Sequence, residues 1–388
     1  MRPFAFLALP LAFLPFLPSC DDTSSLGPIS TGSGGRPSVQ VRCEPPTPLS
    51  QGPEGAAGDT GTSHPDPGAP AGSPVARHGH LRLSGTQLVD QSGQPVQLRG
   101  VSSMWLNWEH DGYALSLRAL EWMRDNWGLT VIRAAMGVDV DGGYASGGKV
   151  AMLREVETII KNAEQAGVYV IVDFHSHNAA DYKTDAIEFF SDIAARYGHL
   201  PNVIFETFNE PLNVSWSAVL KPYHEAVLGA IRQNDPDDHK NITVVGTPVY
   251  DQNPDAAIGA TVEDEAVMYA VHFYSCSHGR NQLEKAKRAL AAGLPLMVTE
   301  WGATHADGGV KGTPVCAAEA DLWLDWLDEN GISWVAWKLD NCAWELETNG
   351  VEDTSCLLKA DTPVEGGWPS ERLNGHGAYV VRRMSCAE

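Results

Sequence analysis

The sequence predicts an α/β protein folded as one (β/α)8 TIM barrel, with a short N-terminal β-hairpin before it and a disordered linker before that. Three observations predict it. From about His78 to the C-terminus, apolar strand-like runs alternate with segments of helical period. The runs end near Val101, Arg133, Phe174, Phe208, Gly246, Phe273, Thr299 and Lys338. Those ends lie 26–41 residues apart, the length of one βα unit. The run Val168–Val172 is continuously apolar, as a parallel strand buried on both faces must be.

Residues 1–20 read as an export signal. Arg2 supplies the positive end, Phe4 to Leu17 an apolar run broken by Pro10 and Pro15, and Ser19-Cys20 the close. The run is too short to span a bilayer, which takes ~20 apolar residues. Leu17-Pro18-Ser19-Cys20 resembles a bacterial lipobox, in which Cys20 would carry a lipid anchor; plain secretion is the alternative. The expected location is therefore secreted, or cell-surface lipoprotein, in a bacterium. Residues 21–77 read as the linker, with ten prolines, ten glycines and no aromatic residue. Such a stretch cannot bury enough surface to offset its ordering entropy.

Residues 78–388 are then expected to form the one folded domain. Leu81-Arg82-Leu83, Gln87-Leu88-Val89 and Pro95-Val96-Gln97-Leu98 look like short hairpin strands, with Asp90 and Ser92-Gly93 as turn residues. Helices are predicted over Leu115–Trp127, Val150–Ala166, Thr184–Tyr197, Trp216–Gln233, Gln282–Ala292, Cys316–Glu329 and Arg372–Met384. Between the fifth and sixth strands only Asp255 to Gly259 looks helical. A doubly wound sheet is the rival fold, but no Gly-rich phosphate loop follows the first strand.

Acidic residues outnumber basic ones by 49 to 27, a formal charge of -22. Nucleic-acid binding needs a basic footprint to replace phosphate counterions, so nucleic acid is excluded as a partner. A neutral polysaccharide is compatible with this charge. With Cys20 lipidated, six cysteines remain, an even number that suits disulfides in an oxidising compartment.

Catalytic groups of such barrels sit at the C-terminal ends of the strands. There this sequence places Arg133, Asp173-Phe174-His175, Asn209-Glu210-Pro211, His272-Phe273-Tyr274, Glu300-Trp301 and Trp337. Glu210 and Glu300 are the central pair. Glycoside cleavage with retention needs two carboxyl groups ~5–5.5 Å apart, one protonated to assist the leaving group and one ionised to attack. Arg133 and the Tyr274 hydroxyl are expected beside Glu300, holding it ionised. His272 is expected beside Glu210, and Asn209 is placed to donate to a sugar 2-hydroxyl. Alone, either glutamate could instead cap a helix or pair with Arg133.

Val131-Ile132-Arg133-Ala134-Ala135-Met136, Val172-Asp173-Phe174-His175, Phe208-Asn209-Glu210-Pro211, His272-Phe273-Tyr274 and Val298-Thr299-Glu300-Trp301-Gly302 together resemble glycoside hydrolase family 5, most nearly its bacterial endo-β-1,4-glucanases. The likeness runs from about Leu81 to the C-terminus. It implies Glu210 as acid/base and Glu300 as nucleophile, with Arg133, His175, Asn209, His272, Tyr274 and Trp337 completing the family's active-site set. It also implies a β-glucan substrate, no cofactor, no metal and a monomer. β-Mannanase, lichenase and xyloglucanase activities stay open within the family.

Trp108 matches a family position that stacks on a sugar to the non-reducing side of the cleavage point. Trp216, shortly after Asn-Glu-Pro, looks like the platform on the other side, and Trp337 like the floor between them. Trp122, Trp127, Trp323 and Trp326 read as core. Two places depart from close relatives: Met104 stands where a histidine is usual, and Cys342 where a lysine is, with Lys338 nearby as a substitute. Cys342 and Cys356 bracket the loop after the eighth strand and are expected to pair. Cys276 and Cys316, after neighbouring strands, are expected to form a second bridge.

Two rival readings are weaker. His175-Ser176-His177 has metal-ligand spacing, but the strand ends lack the rest of a metal-dependent amidohydrolase set. A glycan-binding protein without catalysis would most readily have lost Glu210 and Glu300.

Overall fold

A computed structural model describes residues 68–388 apart from 237–238, 307–314, 345–346, 348–353 and 386–388. The expected signal segment, most of the expected linker, and Cys20, Cys43 and Cys386 lie outside the described residues. Eight parallel strands close into a barrel in chain order: β3 (Arg99–Ser103), β4 (Val131–Gly137), β5 (Tyr169–His175), β6 (Val203–Glu206), β7 (Thr243–Val245), β8 (Val267–Tyr274), β9 (Leu296–Gly302) and β10 (Trp334–Leu339). The last pairs with the first, Trp334 opposite Arg99 and Val335 opposite Gly100. Gly100 is required there, because a Cβ on it would lie 1.8 Å from the Val131 carbonyl oxygen of the adjoining strand.

Helices α2 (Leu117–Trp127), α3 (Lys149–Ala166), α4 (Lys183–Tyr197), α5 (Lys221–Arg232), α6 (Arg280–Ala291), α7 (Ala317–Glu329) and α8 (Gly375–Ser385) follow their strands as predicted. Local chemistry fixes their ends. Ser116 caps α2 by accepting from the Ala119 N–H, and Gly128 closes it in the left-handed region. Gly167 closes α3 in the same way. Between β7 and β8 there is only a short 3-10 turn, Pro254–Ala257, where the sequence showed its weakest helix. The apolar inner stripes of the helices and the outward faces of the strands make one core, with Phe174, Phe189, Phe190 and Phe205 in mutual contact.

A second core fills the N-terminal end of the barrel. Val131, Tyr169, Ile171, Ile204, Val244, Met268 and Met297 point inward and meet residues from before the barrel: Val75, Leu81, Leu88, Val96 and Leu98. Two corrections follow from this plug. Residues 68–77 were assigned to the linker, yet Pro74–His78 forms helix α1, capped by Ser73, with Val75 buried and its N–H bonded to the Gly167 carbonyl at 3.0 Å. The Gly/Pro composition of the long segment masked one short capped turn with a single apolar anchor. The hairpin is β1 (Arg82–Ser84) with β2 (Gln87–Val89), and the expected third strand reduces to one bridge, Val89 to Pro95. Proline lacks the N–H that a longer ladder would use. The Asp90 carboxylate holds that turn, accepting from the Ser92 and Gln94 N–H groups.

Both predicted disulfides are formed. Cys276–Cys316 ties the segment after β8 to the start of α7, with Cα atoms 5.3 Å apart, and Cys342–Cys356 ties the loop after β10, at 6.0 Å. Both separations lie inside the ~7 Å reach of a disulfide.

Candidate active site

The C-terminal mouth of the barrel is organised around one guanidinium. Arg133 was expected at a strand end, but it is the third residue of β4 and so lies below the rim, fully buried. Its Nε donates to Glu206 Oε2 at 2.7 Å and its Nη1 to Glu300 Oε2 at 3.0 Å. Its Nη2 reaches Asn209 Oδ1 at 2.7 Å and Asp173 Oδ2 at 2.9 Å. An unpaired charge at this depth would be prohibitive, so the three carboxylates are what permit the arginine. Burial opposes its charge, and Asp173, Glu206 and Glu300 more than restore it, keeping Arg133 protonated at any working pH. Glu206 and Asp173 in turn are fixed in place, and Asp173 Oδ2 also takes His175 Nδ1 at 2.5 Å.

Glu300 sits on β9 with one donor on each oxygen: Arg133 on Oε2, and the Tyr274 hydroxyl on Oε1 at 2.6 Å. Glu210 stands four residues beyond β6, its N–H held by the Ser176 carbonyl at 3.3 Å. His272 Nδ1 lies 3.0 Å from Glu210 Oε1, and His177 Nε2 lies 3.2 Å from Oε2. An oxygen of Glu210 and an oxygen of Glu300 lie within 4.8 Å of each other. Because Asn209 Oδ1 is taken by Arg133, the function its side chain has left to offer is the amide NH2.

The electrostatics of the cleft differ from expectation. For Glu210, burial opposes ionisation, but the hydrogen bonds from His177 and His272 outweigh it and hold the group down to about 2. For Glu300, burial and the neighbouring Glu210 charge outweigh His272, Arg133 and Tyr274, so its pKa is raised. The expected donors are all in place; the order of acidity is inverted by two imidazoles on Glu210, of which only His272 is expected there from the sequence.

Aromatic rings line the same mouth. Trp337 stacks parallel to His175 at 5.5 Å, Trp105 meets His175 edge-on at 4.2 Å, and Trp108 stacks on Trp105 at 5.1 Å. Trp216 is a correction. It is buried, its indole N–H donates to the Ala260 carbonyl at 2.8 Å, and it packs between His224 and Tyr269. Proximity in sequence to Glu210 suggested the cleft, but the chain has by then left the rim, and Trp216 begins the turn that enters α5. The exposed ring on that side is Tyr250, 40% exposed and edge-on to His177 at 5.6 Å.

Tyr250 stands in a run of three non-glycine residues with positive φ, Val249 (61°), Tyr250 (55°) and Asp251 (56°). Each such residue costs on the order of 1–3 kcal/mol and persists only where surrounding structure enforces it. Here the Asp251 carboxylate accepts from the Thr247 N–H, and its carbonyl accepts from the His272 N–H at 3.2 Å. The turn thus presents Tyr250 outward and puts Asp251 Oδ2 3.4 Å from His272 Nε2. Lys338 is buried, 3.2 Å from Met104 Sδ and 3.7 Å from Asp340 Oδ2, so Met104 meets the lysine expected to substitute for the one that Cys342 replaces.

Sequence reasoning missed Glu206, Asp251, Trp105 and Tyr250. A glutamate inside an apolar strand run was the available signal for Glu206; the left-handed turn carries no glycine, so nothing flagged Asp251 or Tyr250. His175 and His177 turn to different carboxyl groups, His175 to Asp173 and His177 to Glu210. Among the described residues the closely grouped potential ligands are Glu210, His272 and Glu300, and Asp340 with the two disulfide-bonded cysteines Cys342 and Cys356.

Two close carboxyl groups at a barrel mouth, braced from below by a buried arginine and flanked by aromatic rings, define a glycoside hydrolase of the (β/α)8 kind. The comparisons agree. Residues 89–343 match the model of the cellulase family, glycosyl hydrolase family 5, and the chain belongs to that family. It is 39% identical over 299 residues to endoglucanase A of Evansella cellulosilytica, covering 75% of this chain and 57% of the relative. It is 35% identical over 316 residues to endoglucanase 5 of Pectobacterium carotovorum subsp. carotovorum, covering 80% and 59%. The chain thus spans less than two thirds of the length of these two relatives. Among solved structures, the catalytic domain of Thermobifida fusca endoglucanase Cel5A has a TM-score of 0.72 at 30% identity, covering 81% of this chain and 99% of that one. A variant of that domain has been solved in complex with cellotetraose, with a TM-score of 0.71 and coverage of 81% and 99%.

Proposed function

We propose that the chain is an endo-β-1,4-glucanase that hydrolyses cellulose or a related β-glucan with retention, through a covalent glycosyl-enzyme intermediate. The observation that carries this is the approach of Glu210 and Glu300 oxygens to within 4.8 Å. That spacing leaves no room for the water that inverting enzymes hold between carboxyl groups ~6.5–9.5 Å apart. Glu300 attacks the anomeric carbon while Glu210 protonates the departing oxygen. Glu210 then takes a proton from the water that opens the intermediate. Arg133 and Tyr274 stabilise Glu300 as it gives up and regains its negative charge, and the Asn209 amide is placed for the sugar 2-hydroxyl.

The cellotetraose complex of the related domain supports a glucan ligand. Trp108 supplies a flat apolar face for a sugar ring on one side of the cleavage point and Trp337 the floor at its centre, and Tyr250 takes the place that Trp216 was expected to fill on the other side. Lys338, with Met104, supplies the polar contact of the distal sugar. Residues 1–20 act as an export signal, with Cys20 as the site of a lipid anchor, and the residues after them as a tether. The enzyme works outside the cytoplasm as a monomer.

The test is hydrolysis of soluble β-1,4-glucan, with the anomer of the first product read by NMR. Early β-anomer is expected, with E210Q and E300Q both inactive. Early α-anomer would overturn the nucleophile assignment. Failure on β-1,4-glucan with cleavage of mannan, mixed-linkage glucan or xyloglucan would move the substrate within the family.

A further inference from the structure

The two oxygens of Glu210 are in unlike surroundings. Oε1 faces His272, a ring that is 1% exposed and held from behind by Thr299 Oγ1 at 2.9 Å and Asp251 Oδ2 at 3.4 Å. That ring cannot withdraw without unmaking the packing below it. Oε2 faces His177, whose side chain is 40% exposed. His177 stands on the loop after β5 with its ring edge-on to Tyr250 at 5.6 Å and to Trp105 at 6.0 Å. The oxygen that reaches a glycosidic bond must be the one whose partner can leave. That is Oε2, whose hydrogen-bonding position His177 occupies.

We propose that His177 loads the catalytic proton onto Glu210, passing it from Nε2 to Oε2 as a glucan crossing the cleavage point displaces the imidazole. The N–H bond breaks and an O–H bond forms; imidazolium becomes neutral imidazole, carboxylate becomes carboxylic acid, and the site's net charge is unchanged. Glu210 then gives the proton to the leaving oxygen. It recovers one from the attacking water and returns it to His177 when product leaves, so the cycle closes with no proton needed beyond the one that water supplies.

The charges around the ring fit this role. Glu210 after β6, Glu300 on β9 and Asp139 after β4 favour the imidazolium, while His175, two residues earlier, lies on a Asp173 carboxylate of its own. Burial opposes the charge on His177, and the Glu210 hydrogen bond and the carboxylates outweigh it, so its pKa is raised. An acid/base carboxyl that rests ionised has no proton to give; a cation in contact with it at 3.2 Å supplies one at the moment substrate arrives.

This inference rests on the retaining-glucanase reading, and one experiment separates the two. kcat/KM is measured against pH for wild type, H177Q and H177A on cellotetraose and on 2,4-dinitrophenyl β-cellobioside. In the wild type the proton is lost only as pH rises through the raised imidazole value. Without His177 it is held by the carboxyl alone beside His272, whose pKa burial lowers but the carboxylates of Asp251, Glu206, Glu210 and Glu300 raise further. The basic limb on cellotetraose is therefore expected to move to lower pH by about one unit or more in both variants. The dinitrophenyl leaving group needs no proton, so with that substrate the limb is expected to stay in place. Active-site titration with the 2-deoxy-2-fluoro analogue of that glycoside, which needs only Glu300, normalises each variant to its folded fraction. An unshifted basic limb on cellotetraose, whatever the fall in rate, overturns the role of His177. A wild type inactive on both substrates overturns the functional reading and this proposal together.

Discussion

Arg133 meets Glu206, Asp173, Asn209 and Glu300 through the fixed fork of one guanidinium, and this rigidity places Glu300. The second constraint on Glu300 is the Tyr274 hydroxyl at 2.6 Å. A hydrogen bond to a charged group contributes about 1.5–3 kcal/mol, so Y274F is expected to lower kcat/KM on cellotetraose roughly 10- to 100-fold. The same bond lowers the pKa of Glu300 against burial and the Glu210 charge. Its removal raises that pKa, so the acidic limb of the kcat/KM profile should move to higher pH. A Y274F profile with its acidic limb unmoved would show that the hydroxyl serves the substrate and leaves the nucleophile's ionisation alone. Each residue of the characteristic set was legible in the sequence, because its strand-end motif could be read in one dimension. Glu206 and Asp251 were not, because their meaning depends on Arg133 and His272, which are distant in the chain.

At the scale of the element, strands and helices were legible and their exact relation to the rim was not. β4 continues four residues past Arg133, and β6 stops four residues before Glu210. Polar residues mark the neighbourhood of a strand end, but the tilt of closed-barrel strands decides which residue stands at the rim. Trp216 shows the consequence. It was placed in the cleft by chain distance, whereas its ring lies between α5 and the barrel wall against His224 and Tyr269. W216A should therefore act on stability, costing about 3–5 kcal/mol, with KM for cellotetraose nearly unchanged. Thermal unfolding and steady-state kinetics check this together; a normal melting temperature with a raised KM would restore the ring to the substrate site.

Across the whole molecule, the barrel is closed at one end by the plug from residues 74–98 and left open at the other for catalysis. The open end carries long loops, and the two disulfides fasten them at sequence separations of 40 and 14 residues. Chain-entropy reasoning assigns such bridges about 4 and 3 kcal/mol respectively. C276A/C316A and C342A/C356A should each lower the melting temperature, the first pair by more. Equal melting temperatures for wild type and both variants would mean that the loops are held by their other contacts.

The sequence by itself determined the barrel, the pairing of Glu210 with Glu300 at its mouth, and both disulfides. Those properties follow from period, spacing and motifs that survive in any frame of reference along the chain. Only the tertiary structure decided that Trp216 is core and Tyr250 is not, that residues 68–77 belong to the fold, and that Glu210 rests between two imidazoles. Exposure and pKa depend on which groups from separate strands meet in space. Distance along the chain carries almost none of that information.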